Sequence, residues 1–150
     1  MVGVSESIRI ERPPETVFAY LDQPENHATV TPSLAESEAV EQLDNGGKRV
    51  RYVYEMAGIS REGYLTETTH EDGQRMVFEL SGGIAGEIDI GFADADGGTE
   101  VTYSAKYELP GGVLAAVAEP IARRFNRRQL EKTLRTLQAR LETDSPESGK

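Results

Sequence analysis

A chain of 150 residues is long enough for one domain that buries an apolar core without covalent staples. It has no cysteine, which excludes disulfides, thiolate catalysis and cysteine-based zinc sites; its two histidines, His27 and His70, are too far apart in sequence to suggest a histidine-rich metal site, although carboxylate sites stay open. The net charge of −10, with twelve arginines against four lysines, opposes binding to nucleic acid and anionic membranes and suits a halophile's cytoplasm, where salt screens the self-repulsion.

No apolar run is long enough for a membrane-spanning helix. The start, MVGVSESIRIE, lacks the basic end and apolar core of a signal peptide, and Val2 stands where myristoylation needs glycine. A cytoplasmic location is expected. Residues 4–11 read as a strand with Ile8 and Ile10 on one face. Pro13-Pro14-Glu15 then starts a short helix over 14–21, with Val17, Phe18 and Leu21 as its apolar face. Pro24-Glu25-Asn26 starts a second, which Pro32 ends.

The chain then turns to β pattern. Residues 34–43 predict a strand closed by the hairpin turn Asp44-Asn45-Gly46-Gly47. KRVRYVYEMA puts Val50, Tyr52, Tyr54 and Met56 on one face. SREGYLTETTHE is a longer polar strand, and the face of Tyr64 stays open. QRMVFEL aligns Met76, Phe78 and Leu80; IAGEIDIGFA aligns Ile84, Gly86, Ile88, Ile90 and Phe92. TEVTYSAKYEL aligns Val101, Tyr103, Ala105, Tyr107 and Leu109. Glycine turns separate these segments, so the reading is a six-stranded antiparallel meander with one wet face.

An apolar sheet face needs a cover. Leu130, Leu134, Leu137 and Leu141 stand at four-three-four spacing on a helix that supplies it. A second stripe, Leu114, Ala118, Ile121 and Phe125, lies nearly opposite, with Pro120 within it. One straight helix cannot turn both stripes to one sheet, so the expectation is a bend or break near Pro120. The domain is expected to span 1–143, with residues 144–150 a disordered polar tail.

The order strand, two short helices, six strands and long helix resembles the helix-grip fold of the START-related (SRPBCC) superfamily, in particular its polyketide cyclase/dehydrase-like family. IRIERPPETVFAYLDQPENHATVTPSL is similar to that family's opening strand and helix pair, and GGTEVTYSAKYELPGG followed by LEKTLRTLQARLE to its last strand and closing helix. The resemblance implies an α+β fold: a curved antiparallel sheet of about seven strands (β-α-α-β6-α) wrapped around a long C-terminal helix, with an apolar cavity between them. The two short helices would form a V under one end of that helix, stiffened by proline.

On this reading the cavity face carries Tyr52, Tyr54, Met56, Met76, Phe78, Ile88, Ile90, Tyr103, Ala105 and Tyr107, with His27 near the mouth. Tyrosines offer apolar bodies with hydroxyl tips, which suits either a pocket for a hydrophobic small molecule or lipid or a plain aromatic core whose hydroxyls reach the surface or a backbone carbonyl. Gly63, Gly86 and Ala105 either leave room or mark bulges. His70, beside Glu71-Asp72, reads as a surface residue or as a base with a carboxylate orienter. The acidic pairs Glu36/Glu38, Glu67/Glu71 and Asp94/Asp96 read as solvated charge, and Arg123, Arg124, Arg127 and Arg128 as an exposed basic face that balances nearby acids or as a dock for an acidic partner or a lipid headgroup. Nucleophile-elbow, phosphate-loop, metal and nucleic-acid motifs are absent, no catalytic residue can be assigned, and no cofactor is expected. The leading expectation is binding or transport of a hydrophobic ligand. The alternatives are a cyclase/dehydratase-type enzyme and an interaction module that uses the C-terminal helix.

Overall fold

The computed structural model describes residues 2–31, 34–56, 59–82, 85–108 and 119–143. Strand β1 (Val2–Ile10) is followed by helices α1 (Pro14–Leu21) and α2 (Pro24–Val30). Both helices begin with proline at the first helical position, where a missing N–H leaves no bond unmade. Val17, Phe18 and Leu21 are buried on α1, and His27 and Val30 on α2.

Strands β2 (Leu34–Gln42), β3 (Lys48–Met56), β4 (Ile59–Glu71), β5 (Arg75–Gly82), β6 (Gly86–Ala95) and β7 (Gly98–Tyr107) follow. All neighbours are antiparallel, in the order β1-β7-β6-β5-β4-β3-β2. The helix pair thus carries the chain from β1 at one edge to β2 at the other. At the β6–β7 hairpin Ala95 pairs with Gly98, and the two loop residues, Asp96 and Gly97, both have positive φ (54° and 88°). That is the turn whose twist matches a two-residue hairpin, which is why aspartate and glycine stand there. The edge strand β2 is irregular, with register shifts at Leu34/Glu36 and Ala39/Glu41, and it carries exposed Glu38 and Glu41. Both features discourage pairing with another sheet.

Helix α3 (Glu119–Thr143) covers the inner face. Leu130, Leu134, Leu137 and Leu141 are all buried, in one core with Val4, Ile10, Val101 and Phe92. Each such leucine contributes about 2 kcal/mol through burial. The C-terminal half is also tied to β1: Gln138 Nε2 donates to the Arg9 carbonyl at 2.8 Å, and Glu142 Oε2 accepts from the Glu11 N–H at 2.9 Å. Pro120 is the second residue of the described helix, which runs unbroken after it; the segment before Glu119, which the expected bend or break near Pro120 involves, lies outside the described residues. Leu114 and Ala118, the first half of the second stripe, lie outside the described residues, as do Ile84, Leu109 and the 144–150 tail. The stripe's other members, Ile121 (59% exposed) and Phe125 (38%), face outward.

One expectation about β4 is overturned. The strand slips register between Glu67 and Thr69. A bulge adds one residue and reverses the alternation beyond it. Glu67, before the bulge, shares the inner face of Leu65 and is 2% exposed, while Glu71, beyond it, is turned out and exposed, so the two do not form a solvated pair. Tyr64 lies under the Arg49 guanidinium, 4.5 Å from its ring centroid, and Leu65 is the residue that faces the core.

Candidate functional site

A cavity of about 90 Å³ lies between the sheet and α3. That is room for several water molecules or for part of a small organic molecule. Its sheet wall includes Val4 of β1, Ala105 of β7 and Ile88 of β6, which form one row, because Val4 pairs with Ala105 and Ala105 with Ile88. Tyr103, Leu80 and Leu65 continue the wall. Tyr52 and Tyr54 close it on the β3 side. Helix α3 supplies Asn126, Gln129, Leu130 and Thr133, and Thr31 follows from the end of α2.

Tyr52 owes its pose to two glycines. It pairs with Gly63, and Gly63 pairs with Gly82. The sheet is bare there, and the ring fills the gap: a Cβ built on Gly63 would lie 2.9 Å from the Tyr52 hydroxyl and 3.0 Å from Cζ. Burial, and then the neighbouring Tyr54, push the Tyr52 phenol up to about 12, so it is a neutral donor at any physiological pH.

Most polar atoms on the wall have partners. Tyr54 Oη donates to Asn126 Oδ1 in a long bond of 3.4 Å. The Thr31 hydroxyl donates to the His27 carbonyl at 2.7 Å and that of Thr133 to the Gln129 carbonyl at 3.0 Å. Tyr103 Oη lies 2.8 Å from His27 Nε2, and both residues are buried. Burial holds His27 down at about 4, so its imidazole is neutral near pH 7; burial also pushes the Tyr103 phenol well above its usual value.

His27 stands between this cavity and a smaller hollow next to it, which it lines with Phe78, Glu67 and Lys48. There the bulge in β4 has built a charged cluster. Glu67 Oε1 accepts from the Lys48 N–H at 3.1 Å, and Glu67 Oε2 meets His70 Nδ1 at 2.8 Å. His70 Nε2 lies 3.0 Å from Asp72 Oδ1, and Lys48 Nζ lies 3.2 Å from Asp22 Oδ1. Burial favours a neutral His70, but the bond and charge of Glu67, aided by Asp22 and Asp72, outweigh it and raise its pKa. Burial raises Glu67, against the opposing pull of His70. The two titrate as one unit. His70 is thus not a surface residue: its side chain is only 10% exposed. Its nearest carboxylate is Glu67, not Glu71. Asp22, Glu67 and His70 place one potential metal-ligand atom each within 4.8 Å of one another, but Lys48 already balances Asp22 and His70 already holds Glu67.

A model of the family described as polyketide cyclase / dehydrase and lipid transport matches residues 1–142. The chain belongs to this family. Solved structures share its fold. TTHA0849 from Thermus thermophilus superposes with a TM-score of 0.82 at 21% identity, covering 95% of this chain and 99% of that one. A START superfamily protein from Mycobacterium smegmatis does so with a TM-score of 0.77 at 15% identity, covering 95% and 99%. The di-domain ARO/CYC StfQ from the steffimycin biosynthetic pathway gives 0.73 at 14% identity, covering 95% of this chain and 51% of that one. No curated protein matches the sequence. The chain is therefore an α+β helix-grip protein of a ligand-binding fold, and no helix among its described residues is long and apolar enough to cross a membrane.

Of the residues singled out from sequence, Tyr52, Tyr54, Ile88, Tyr103 and Ala105 line the cavity of this family member. Met76 and Ile90 do not; both are fully buried in the core. Phe78 and His27 line the smaller hollow, and His27 reaches the main cavity only through Tyr103. The side chains of Met56 and Tyr107 lie outside the described ones. The helix wall of Asn126, Gln129, Leu130 and Thr133 was not anticipated. A signal existed: Asn126 stands four residues before Leu130, on the same helical face. Arg127 of the basic cluster bonds to Glu6 of β1 at 3.5 Å.

Proposed function

We propose that the chain binds or transports a hydrophobic small molecule or lipid in the cavity between sheet and α3. The observation that carries this is a mostly apolar space lined by side chains from the sheet on one side and from α3 on the other. Family membership supports it, as does the likeness in fold to a START superfamily protein. Burial of the ligand's apolar area drives binding at about 25 cal/mol per Å². Tyr52, Tyr54, Ile88, Tyr103 and Ala105 are the contacts we assign. The test is organic extraction of protein purified at high salt, with mass spectrometry against a mock purification. A stoichiometric greasy molecule supports the reading. Ala105→Trp fills the cavity and should abolish uptake in a folded variant, and retained uptake counts against it.

A second reading is favoured by the His27–Tyr103 contact. A neutral imidazole bonded to a phenol on the cavity wall can relay a proton to a ligand. In a cyclase/dehydratase-type enzyme Tyr103→Phe would remove turnover while ligand uptake persists. We further read the net charge of −10 as suited to cytoplasm of high salt. Thermal stability that falls as salt is raised would oppose this.

A further inference from the structure

We propose that the cavity takes an uncharged ligand whose apolar body carries a hydroxyl group, received by Tyr52 and Gln129. This rests on the ligand-binding reading above and adds the chemistry of the ligand. Among the described residues, two buried side-chain atoms find no hydrogen-bond partner: Tyr52 Oη and Gln129 Oε1. Both residues line the same cavity, one on the sheet and one on the helix. Among the described residues the other hydroxyls on the wall, those of Thr31, Tyr54, Tyr103 and Thr133, are engaged. Tyr52 is 1% exposed, so its hydroxyl cannot reach bulk solvent, and the ring is held against Gly63. Buried polar groups in folded proteins are nearly always paired, which makes two orphans on one cavity wall informative.

The two atoms differ in what they ask for. Tyr52 Oη offers a proton, and Gln129 Oε1 accepts one. A hydroxyl on the ligand both accepts and donates, so it answers either atom. A hydrocarbon leaves both unmade. A carboxylate can accept from Tyr52 but offers nothing to Gln129 Oε1, and among the described residues lining the cavity no Arg, Lys or His offsets its charge.

Three rigid probes of one ring system separate these cases: 2-naphthol, naphthalene and 2-naphthoate, measured at pH 7 by equilibrium dialysis. The expected result is 2-naphthol bound about tenfold more tightly than naphthalene, with 2-naphthoate weakest. In Tyr52→Phe the ratio of naphthol to naphthalene affinity should fall toward one. Gln129→Met, a change that preserves length and helix propensity, should lower the same ratio and serves if Tyr52→Phe does not fold. Equal binding of 2-naphthol and naphthalene by the wild-type protein overturns the inference while leaving the cavity as a binding site. So does a ratio that survives both substitutions, or tightest binding of 2-naphthoate. Binding of none of the three overturns the ligand-binding reading and this inference with it.

Discussion

Tyr52 lies across Gly63, its partner on the neighbouring strand, so closely that the glycine has no space for a side chain. A Cβ on Gly63 would meet the Tyr52 ring on one side and the Ser81 backbone oxygen on the other, and the backbone cannot give way. Gly63→Ala should therefore destabilise the fold by about 2 kcal/mol, as overpacking does. Equilibrium urea denaturation checks this, and a midpoint equal to wild type would show that both the ring and the Ser81 backbone yield at no cost.

The His27 imidazole is neutral in the fold down to pH about 4, against 6.5 for a free side chain. Below 6.5 the unfolded chain takes up a proton that the folded one refuses. This contribution is fully present above pH 6.5 and is lost as pH falls toward 4, at most about 3 kcal/mol. Denaturation at pH 7, 5.5 and 4.5 should show a smaller loss in His27→Gln than in wild type. Parallel curves would mean that His27 is protonated in the native state.

The Glu67–His70 pair works in the opposite pH direction. The folded pKa of His70 is raised, so its stabilisation is complete below 6.5 and is lost as pH rises through the folded value. Glu67→Gln keeps the shape but removes the charge. It should destabilise by about 2 kcal/mol at pH 6 and by clearly less at pH 9. A penalty independent of pH would refute a protonated His70 as the source.

Leu137 is fully buried on α3, away from the cavity, and Leu130 lines it. Leu137→Ala should cost about 3 kcal/mol, the sum of lost burial and a new void. Leu130→Ala should also destabilise, but it extends a space that already exists. Its signature is tighter binding of a larger probe such as anthracene relative to naphthalene. An unchanged preference would show that the two spaces do not merge.

Much of the fold was legible in the chain because its signals are local. Proline at the starts of α1 and α2, Asp-Gly in a tight hairpin and alternation along β3, β6 and β7 act within a few residues of where they are written. The leucine stripe of α3 told which face would be buried. The cavity was legible in half. Its tyrosines and Ala105 follow from alternation, but its helix wall is polar, and attention to apolar spacing alone passes over Asn126, Gln129 and Thr133.

Alone, the sequence determined which described segments are strands, which are helices and, for most of them, which face is apolar, since these depend on backbone preference and on periods of two and 3.6 residues. Tertiary structure decided the rest. Nothing in TETTH announces a bulge after Glu67, because a bulge is selected by what the two neighbouring strands and the core accept. Only packing brought Glu67 against His70, His27 against Tyr103, and Tyr52 to the same cavity as Gln129. Tyr52 and Gln129 are seventy-seven positions apart in the numbering. Whether such groups find partners or stay unpaired depends on their distance in space, which no local pattern encodes.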